Sequence, residues 1–362
     1  MADLLGDPIE PERRRGRGAG SNAANRYDRL HAMRADDGWE READAPVRTR
    51  VDIDSSRTVL ARNTSPDVPF DRSINPYRGC EHGCIYCFAR PTHAHLGLSP
   101  GLDFETRLLV KPNAADLLAQ ALRKPGYAVA PIAIGTNTDP YQPVEREWRI
   151  MRGILEVLWE HRHPVTITTK GTLLTRDIDI LRKMAREDLV RVTVSLTTLD
   201  NKLSRAMEPR CAAPARRLAM VRELSRSGVP VGVGLAPVVP GLTDHEIEHL
   251  VRAGAEAGAD FASFIMLRLP MEVAPLFEDW LQREFPNRAT KIMGRVREMH
   301  GGKAYDSKWF KRLRGEGVHA SLIARRFELA RQKHGLDAER TRLRCDLFRV
   351  PPRSGDQLTL GI

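Results

Sequence analysis

Residues 78–88 read RGCEHGCIYCF and place three cysteines, Cys80, Cys84 and Cys87, in the spacing C-x3-C-x2-C directly after a turn-forming glycine. Thiolates held this close together can bind one compact metal centre. A four-iron cluster needs four ligands to be fully coordinated, so three cysteines leave one iron open to another ligand. Catalytic zinc sites likewise have three protein ligands and leave the fourth coordination position to water or substrate. The spacing therefore predicts a metal centre with an open coordination site.

The same region carries a family resemblance. With the aromatic residue Tyr86 before the third cysteine, the motif resembles the signature of radical S-adenosylmethionine (radical SAM) enzymes. The longer run NPYRGCEHGCIYCFARPTHAHLGLSPGLDF at residues 75–104 resembles the spore-photolyase-like (DNA repair photolyase-like) branch of that superfamily. The resemblance extends from roughly Arg13 to the C-terminus. It implies a [4Fe-4S] cluster on the three cysteines, with the open iron binding S-adenosyl-L-methionine (SAM).

The resemblance also implies a radical mechanism. One electron from the reduced cluster would break the S–C5′ bond of SAM and yield a 5′-deoxyadenosyl radical, which would abstract hydrogen from an unactivated C–H bond. The cofactors then carry the difficult chemistry, while the protein orients, reduces and shields them. Reduction implies an electron donor such as flavodoxin or ferredoxin as a partner.

Other interpretations of the cysteines stay open. The three cysteines with His82, His93 or His95 would make a Cys3His zinc site, as in a zinc-stabilised nucleic-acid-binding module without catalysis. Packing within the loop is the simpler expectation for these histidines. A disulfide framework fits poorly, because the chain is long, it has five cysteines and it shows no secretory signal.

The composition is that of a soluble globular protein, with 362 residues of which 41% are hydrophobic and 29% charged. No run of about 18 apolar residues exists, so we expect no membrane-spanning helix. The N-terminus shows no secretory h-region, and thiolate ligands suit a reducing compartment. We therefore expect a cytoplasmic protein.

The formal net charge is +10, and the basic excess is concentrated in residues 13–17 and 303–349. Basic clusters favour polyanions, of which nucleic acid is the commonest, through counterion release and electrostatic steering. A solvated surface without a partner is the alternative.

The C-terminal tail carries a short motif of its own. Residues 357–362, QLTLGI, resemble the Gln-Leu-x-Leu-Phe peptide by which bacterial repair and replication proteins bind the sliding clamp. Gly361 and Ile362 stand where the aromatic residue is expected, so the match is partial. It predicts a clamp contact.

The chain divides into three regions by pattern. Residues 1–65 are rich in Pro, Gly, Arg and Asp, which indicates a largely irregular, flexible N-terminal arm. Between residues 66 and 275, short apolar runs alternate with longer amphipathic segments, which predicts β-α units on a parallel sheet. Residues 276–362 look like a helical, basic extension and tail. With the resemblance, the expected fold is α/β, a partial (β/α)6 TIM-type barrel of radical SAM enzymes.

The expected elements of the barrel can be placed on the sequence. The strands are expected at residues 72–77, 129–135, 165–169, 190–196, 229–235 and 261–267. The helices are expected at residues 114–123, 144–162, 177–186, 215–227 and 244–257, with a further one at 321–334 in the extension. In the fifth strand, Gly232 and Gly234 alternate with valines and predict a face that admits a flat ligand.

Functional groups in such folds gather where the parallel strands end. After the second strand, Thr136, Asn137 and Asp139 occupy the place where radical SAM proteins hold the amino group of SAM, although the usual Gly-Gly-Glu is absent. The resemblance makes these three residues candidate SAM ligands. A plain loop with an Asx turn at Asp139 is the alternative.

The third and fourth strands add three more candidates. Lys170 follows the third strand and could face the carboxylate of SAM as a point charge. By positional resemblance, Ser195 is a candidate for the ribose hydroxyls and Arg210 for the carboxylate. Capping or surface positions are the alternative for such isolated polar residues.

Two cysteines remain outside the motif, Cys211 and Cys345. Spore photolyase is expected to use a cysteine outside the cluster loop as a hydrogen-atom donor, but here no cysteine lies between Cys87 and Cys211. The role cannot be transferred by position, which puts photoproduct repair itself in doubt. Both cysteines are candidate hydrogen-atom donors, and burial as a small apolar residue is the alternative for each.

These observations give a leading hypothesis and two rivals. The leading one is a radical SAM enzyme that acts on nucleic acid in repair or modification. The second keeps the cofactors but has a protein or small-molecule substrate. The third is the zinc-stabilised nucleic-acid-binding module without catalysis.

Overall fold

The structure is a computed structural model that describes residues 5–12, 14–27, 46–337 and 342–352. Ten β-strands lie in this part of the chain and form two sheets. The strands are β1 (Arg50–Ile53), β2 (Leu60–Arg62), β3 (Arg72–Ile74), β4 (Tyr77–Arg78), β5 (Arg107–Val110), β6 (Ile132–Ile134), β7 (Val165–Thr169), β8 (Val190–Ser195), β9 (Val231–Val238) and β10 (Phe261–Met266).

The helices alternate with the strands through the middle of the chain. The α-helices are α1 (Asp103–Thr106), α2 (Ala114–Leu122), α3 (Glu145–Trp148), α4 (Ile150–Glu160), α5 (Ile178–Ala185), α6 (Asn201–Met207), α7 (Pro214–Arg226), α8 (Ile247–Glu256), α9 (Val273–Glu284), α10 (Ala289–Met299) and α11 (Gly317–Lys333). Short 3-10 helices cover Arg90–Leu96, Thr172–Asp177 and Asp244–Glu246.

The larger sheet has the strand order β10-β9-β8-β7-β6-β3-β2. Six neighbouring strands, β3 and β6 to β10, run parallel, and β2 adds to β3 in the antiparallel direction. From β6 onward helices connect each strand to the next, so every new strand joins the same edge of the sheet. This arrangement confirms the predicted partial (β/α)6 barrel. The smaller sheet has the strand order β1-β5-β4, and its strand β4 follows β3 after two residues in the chain.

The parallel strands are apolar because both of their faces are covered. Strand β9, VGVGLAPV, is buried at all but one of its positions. All six strands predicted from apolar runs are present, with bounds that differ by a few residues. The predicted helix at 144–162 is interrupted at Arg149, whose φ is 52°. There the Glu145 carboxylate accepts hydrogen bonds from the backbone N–H groups of Ile150 and Met151 and caps α4.

The glycines of β9 do not face a ligand. A Cβ added at Gly232 would lie 2.3 Å from the ring of Phe261, and one added at Gly234 would lie 3.1 Å from a methyl group of Thr193. The expectation of an open strand face at these positions is therefore wrong. Side chains of the neighbouring strands β8 and β10 fill the space.

Gly232→Ala is expected to destabilise the barrel by about 1–3 kcal/mol, because the new methyl group overpacks the Phe261 ring. Gly294→Ala in α10 is the matched control, since a Cβ there meets nothing within 4 Å and alanine favours a helix. Urea-induced unfolding of both variants checks this. Equal stabilities would show that β9 and β10 can shift apart at no cost.

The C-terminal helices pack on the barrel. Phe327 of α11 lies against Phe264 of β10 with ring centroids 4.7 Å apart. Arg326 of α11 binds both carboxylate oxygens of Glu248 in α8, at 2.7 and 2.6 Å. Helix α9 begins at Val273, a few residues before the predicted start of the extension.

The N-terminal arm is not flexible where the structure describes it near residue 17. Arg17 is only 7% exposed and donates from Nη1 to the carbonyl of Glu105 at 2.9 Å. The backbone N–H groups of Gly18 and Ala19 donate to the Glu105 carboxylate at 2.9 and 2.8 Å. The side chain of Arg17 is therefore held inside the protein, and the expectation of a flexible arm does not hold for residues 17–19. Composition could not reveal a buried partner almost 90 residues away in the sequence.

Two further expectations concern the membrane and the clamp. None of the helices in the described part of the chain is both long enough and apolar enough to cross a bilayer. The clamp-like tail at residues 357–362 lies outside the described residues.

Candidate metal centre and cofactor site

The cysteine motif forms a loop that follows β3 and β4, at the carboxyl end of the parallel sheet. We call residues 79–88 the cysteine loop. Arg90, which is fully buried, donates hydrogen bonds to the carbonyl groups of Gly83 and Cys84. The same guanidinium forms an ion pair with Glu105 at 2.6 Å. A Cβ added at Gly18 would lie 2.0 Å from the Gly83 carbonyl oxygen, so the N-terminal arm packs directly on this loop.

The three cysteines of the loop lie near one another, because the charges of Cys84 and Cys80 both act on Cys87. All are free thiols. Cys80 and Cys84 are 7% and 8% exposed, and Cys87 is half-buried and packs against the two hydrophobic clusters to which they belong. Burial, followed by the charges of Cys84 and Cys80, raises the pKa of Cys87 to about 12. Crowded thiols of this kind are stabilised as thiolates by a cationic metal centre, so the donor set fits a cluster.

The possible metal ligands near the loop are not gathered around one point in this structure. Within the described ranges, no three or more His, Cys, Asp and Glu side chains come close enough together to hold one ion. His82 Nδ1 lies 3.4 Å from Asp139, and the thiol of Cys80 is also close to this ring. The other two histidines have neighbours outside the motif: His93 Nε2 lies 2.9 Å from the carbonyl oxygen of Arg107, and the ring of His95 lies 5.4 Å from that of Tyr27. The loop-packing role expected for the histidines fits these contacts.

A buried carboxylate lies beside the cysteine loop. Glu208, which follows α6, is 1% exposed and accepts hydrogen bonds from the hydroxyls of Tyr86 and Thr197 and from the Arg217 guanidinium. Arg217 also donates to the carbonyl of Ser195 at the end of β8, at 3.1 Å. Burial opposes ionisation, but the charges of Arg217 and then Lys170 lower the pKa of Glu208 to about 2. The group is therefore a fixed negative charge at the carboxyl end of the barrel.

Lys170 lies between this carboxylate and the thiols. Its ammonium group is 5.9 Å from the centre of the Tyr86 ring. Burial opposes its charge, but Glu208 and then Cys84 and Cys211 raise the pKa of Lys170. The half-buried ammonium group is thus a permanent cation next to the cysteine loop. The sequence predicts that it faces the carboxylate of SAM.

The loop after β6 is held by hydrogen bonds of Asp139 to the end of β7 and to the loop itself. Asp139 accepts hydrogen bonds from the Thr169 hydroxyl and the Lys170 N–H, both at 2.6 Å. Its oxygens also accept from the Tyr141 N–H at 2.9 Å and lie near His82. A carboxylate accepts about four hydrogen bonds, so Asp139 has little capacity left for an amino group. Its contacts suit a positioning role, which fixes Lys170 and the cysteine loop.

The other candidates of this group lie nearby. Thr136 and Asn137 are half-buried directly after β6, and the N–H of Asn137 donates to the side chain of Asn75 at 3.1 Å. Ser195 is 3% exposed at the end of β8. Arg210 forms an ion pair with Glu81 of the cysteine loop at 3.2 Å. Five of the six predicted SAM ligands thus lie at or directly after the carboxyl ends of β6, β7 and β8, and Arg210 lies against the cysteine loop.

The two remaining cysteines lie at opposite ends of the barrel. The sulfur of Cys211 is 3.8 Å from that of Cys84, so it borders the cysteine loop. Cys345 lies beyond the other end: the N–H of the preceding Arg344 donates to the carbonyl of Asp188, just before β8 begins. The proposed role of Cys345 as a hydrogen-atom donor stays a prediction, and its position near the amino end of β8 gives it no support.

Sequence reasoning missed the ion pairs that support this site. One signal was available for Arg217, because it occupies the stripe that Met220, Val221 and Leu224 make on α7, where an apolar residue is expected. A charged residue in such a stripe indicates a buried partner. No comparable local signal marks Glu208 or the partnership of Arg90 with Glu105.

Comparison with known proteins identifies relatives of this arrangement. The Radical SAM superfamily profile matches residues 74–253. An uncharacterized protein of Mycobacterium tuberculosis is 38% identical over 293 residues, which cover 80% of this chain and 85% of that relative. A mutant of spore photoproduct lyase superposes with a TM-score of 0.51 at 16% identity, over 78% of this chain and 77% of that chain. Spore photoproduct lyase complexed with dinucleoside spore photoproduct gives a TM-score of 0.50 at 14% identity over the same shares. These structural likenesses establish a shared fold.

Proposed function

The chain belongs to the radical SAM superfamily, and from that premise we propose that it is an enzyme that repairs or modifies nucleic acid. Membership of the superfamily implies a [4Fe-4S] cluster and SAM as its cofactors. The observation that carries the cofactor assignment is the cysteine loop at the carboxyl end of the barrel, where Cys80 and Cys84 are buried and lie close enough to Cys87 to raise its pKa. We assign the cluster to Cys80, Cys84 and Cys87.

The cofactors supply reductive cleavage of SAM, which makes a radical able to abstract hydrogen from an unreactive C–H bond. The residues of this chain hold and shield the cofactors. Lys170 is a fixed positive charge beside the cysteine loop and would hold the SAM carboxylate. Thr136, Asn137, Ser195 and Arg210 remain proposed SAM ligands on the neighbouring strand ends.

The carboxylate of Glu208 sets the electrostatics of the same region. Because Arg217, Tyr86 and Thr197 all donate to it, its charge is compensated and its position is fixed. It in turn holds Tyr86, the aromatic residue of the cysteine motif, against the end of β8. Cys211 is the one predicted hydrogen-atom donor that borders the site, and we retain it in that role.

The substrate assignment rests on charge and fold. A net charge of +10 favours a polyanion. The fold is shared with spore photoproduct lyase, which has been solved with a dinucleoside spore photoproduct. An electron donor such as flavodoxin or ferredoxin would reduce the cluster, and thiolate ligands suit the cytoplasm.

An anaerobic assay tests the proposal. The dithionite-reduced protein is incubated with SAM alone, with single-stranded DNA, with duplex DNA or with RNA, and 5′-deoxyadenosine is measured. We expect nucleic acid to raise the yield several-fold, because substrate binding at the barrel opening positions and shields the cofactors. A yield that no nucleic acid changes, but that a peptide or metabolite pool raises, would overturn the substrate assignment.

A further inference from the structure

Residues 303–314, KAYDSKWFKRLR, combine five basic residues with three aromatic ones and only one acidic residue. We call this segment the basic aromatic loop. It was expected to be helical, but the structure shows turns between α10 and α11. Trp309 and Phe310 at its tip are 55% and 64% exposed. Two adjacent exposed aromatic rings in a basic segment are unusual on a surface that has no partner.

The loop is held in place although its tip is exposed. The carboxylate of Asp67, whose side chain is 3% exposed, accepts two hydrogen bonds from the Arg312 guanidinium at 2.7 and 2.6 Å. The same carboxylate accepts from the N–H of Phe310 at 3.3 Å. The carbonyl of Leu313 accepts from the N–H of Met266 at the end of β10. The aromatic rings are therefore presented on an ordered backbone at the carboxyl end of the barrel.

Phe310 adds a sign of local strain. Its φ is 66°, in the left-handed region that bulky side chains rarely adopt. The Asp67 contacts hold this conformation. Backbone strain of this kind accumulates at functional sites, and here it keeps the Phe310 ring in solvent.

Arg268 lies close to both the basic aromatic loop and the cysteine loop. The Arg268 guanidinium lies 4.1 Å from the ring centre of Phe88, the residue after Cys87. Among the described residues it makes no ion pair and no side-chain hydrogen bond. Burial lowers the pKa of Arg268, and the groups near enough to act on it include Tyr305 and Arg312 of the basic aromatic loop and Cys87. Arg268 thus lies between the proposed cluster and the exposed rings.

We propose that the basic aromatic loop and Arg268 bind a single-stranded segment of nucleic acid and lead it to the proposed cluster. Unpaired bases stack on Trp309 and Phe310, because stacking needs no specific sequence. The cations Arg268, Lys308 and Arg314, which make no ion pair within the described part of the chain, contact the phosphates. This inference rests on the proposed function and specifies its substrate as unpaired or extruded nucleotides rather than an intact duplex.

The chemistry of the surface favours nucleic acid over its rivals. An acidic peptide would use the cations but needs no pair of exposed rings, and a bilayer surface would be met by an amphipathic helix, whereas this loop is irregular. Aromatic rings interleaved with phosphate-binding cations are typical of single-strand-binding grooves.

Binding measured without catalysis tests the inference. Fluorescence anisotropy of a labelled oligothymidylate of about twelve nucleotides is recorded for the intact cluster-containing protein and for two variants, Trp309→Ala/Phe310→Ala and Arg268→Gln. Val318→Ala/Leu322→Ala is the matched control, since both residues are exposed apolar side chains of α11. Circular dichroism establishes that each variant is folded, and iron content establishes that it contains the cluster.

We expect the aromatic double variant to bind at least about tenfold more weakly and the control to bind like the parent. Arg268→Gln is expected to lower the slope of log affinity against log salt concentration by about 0.7. The parent is expected to bind the single strand more tightly than a blunt duplex of the same length.

The failures of the two proposals can be told apart. If the parent binds the oligonucleotide but all variants bind equally, the inference about this loop is overturned and the proposed function stands. If the parent binds neither single-stranded DNA nor RNA at low salt, both are overturned. If the aromatic variant loses binding to vesicles of phosphatidylglycerol but not to the oligonucleotide, the surface is a membrane contact and the inference is overturned.

Discussion

Cys84→Ala is expected to yield a folded protein that retains almost no iron or acid-labile sulfide and produces no 5′-deoxyadenosine. The cysteine loop supplies three sulfur ligands, and a cluster held by two thiolates is lost to solvent and chelators. The loss is expected to be confined to the site, because the loop lies at the end of the barrel and Cys84 is not part of its main core. The measurements are iron and sulfide content, expected at about four each per chain in the parent, and the thermal unfolding curve.

Cys345→Ala is the matched control for this change. Cys345 is half-buried at the opposite end of the barrel, so the variant should retain iron, sulfide and SAM cleavage at the level of the parent. A Cys84→Ala protein that keeps its cluster would remove the basis of the metal assignment. So would a Cys345→Ala protein that loses the cluster while remaining folded.

Arg90→Met is expected to cost about 3–5 kcal/mol of folding free energy, the largest stability effect that we predict for a single side chain. Both Arg90 and Glu105 are fully buried, so removing the guanidinium leaves an uncompensated carboxylate in the interior. The change also removes donors to the carbonyl groups of Gly83, Cys84 and Gly101. We expect lower stability in urea and weaker retention of the cluster in the same variant.

Arg331→Met provides the comparison. Arg331 pairs with Glu328 on the outside of α11 at 3.0 Å, with both side chains partly exposed, and such pairs contribute less than about 1 kcal/mol. If the two variants unfold at the same urea concentration, the Arg90–Glu105 pair does not contribute to stability as its burial implies.

The parts of the fold that follow from local patterns were predictable. Short runs rich in apolar or β-branched residues located most of the six parallel strands, since a strand covered on both faces needs few polar residues. The spacing of Cys80, Cys84 and Cys87 predicts a metal centre for the same kind of reason, because residues close in sequence are close in space. The order of the strands then placed Lys170 and Ser195 near it.

The parts that depend on distant partners were not predictable. The sequence around Glu105 does not reveal that its carboxylate binds Arg90 together with the backbone of residues 18 and 19. The pattern around Gly232 predicts a ligand-facing position, because the sequence does not show that the Phe261 ring of the neighbouring strand packs against this glycine. The basic aromatic loop has a composition compatible with a helix, and its exposed rings result from the contacts of Arg312 with Asp67.

The contact of the N-terminal arm with Glu105 has a practical consequence for anyone who shortens or tags this protein. Deleting the first twenty or so residues would strip the Glu105 carboxylate of the donors supplied by Gly18 and Ala19 and expose the Gly83 turn to water. A bulky fusion partner attached close to that point would compete for the same space. The purification yield of the protein and the colour of its cluster would then depend on how the N-terminus was shortened or tagged as well as on the three cysteines.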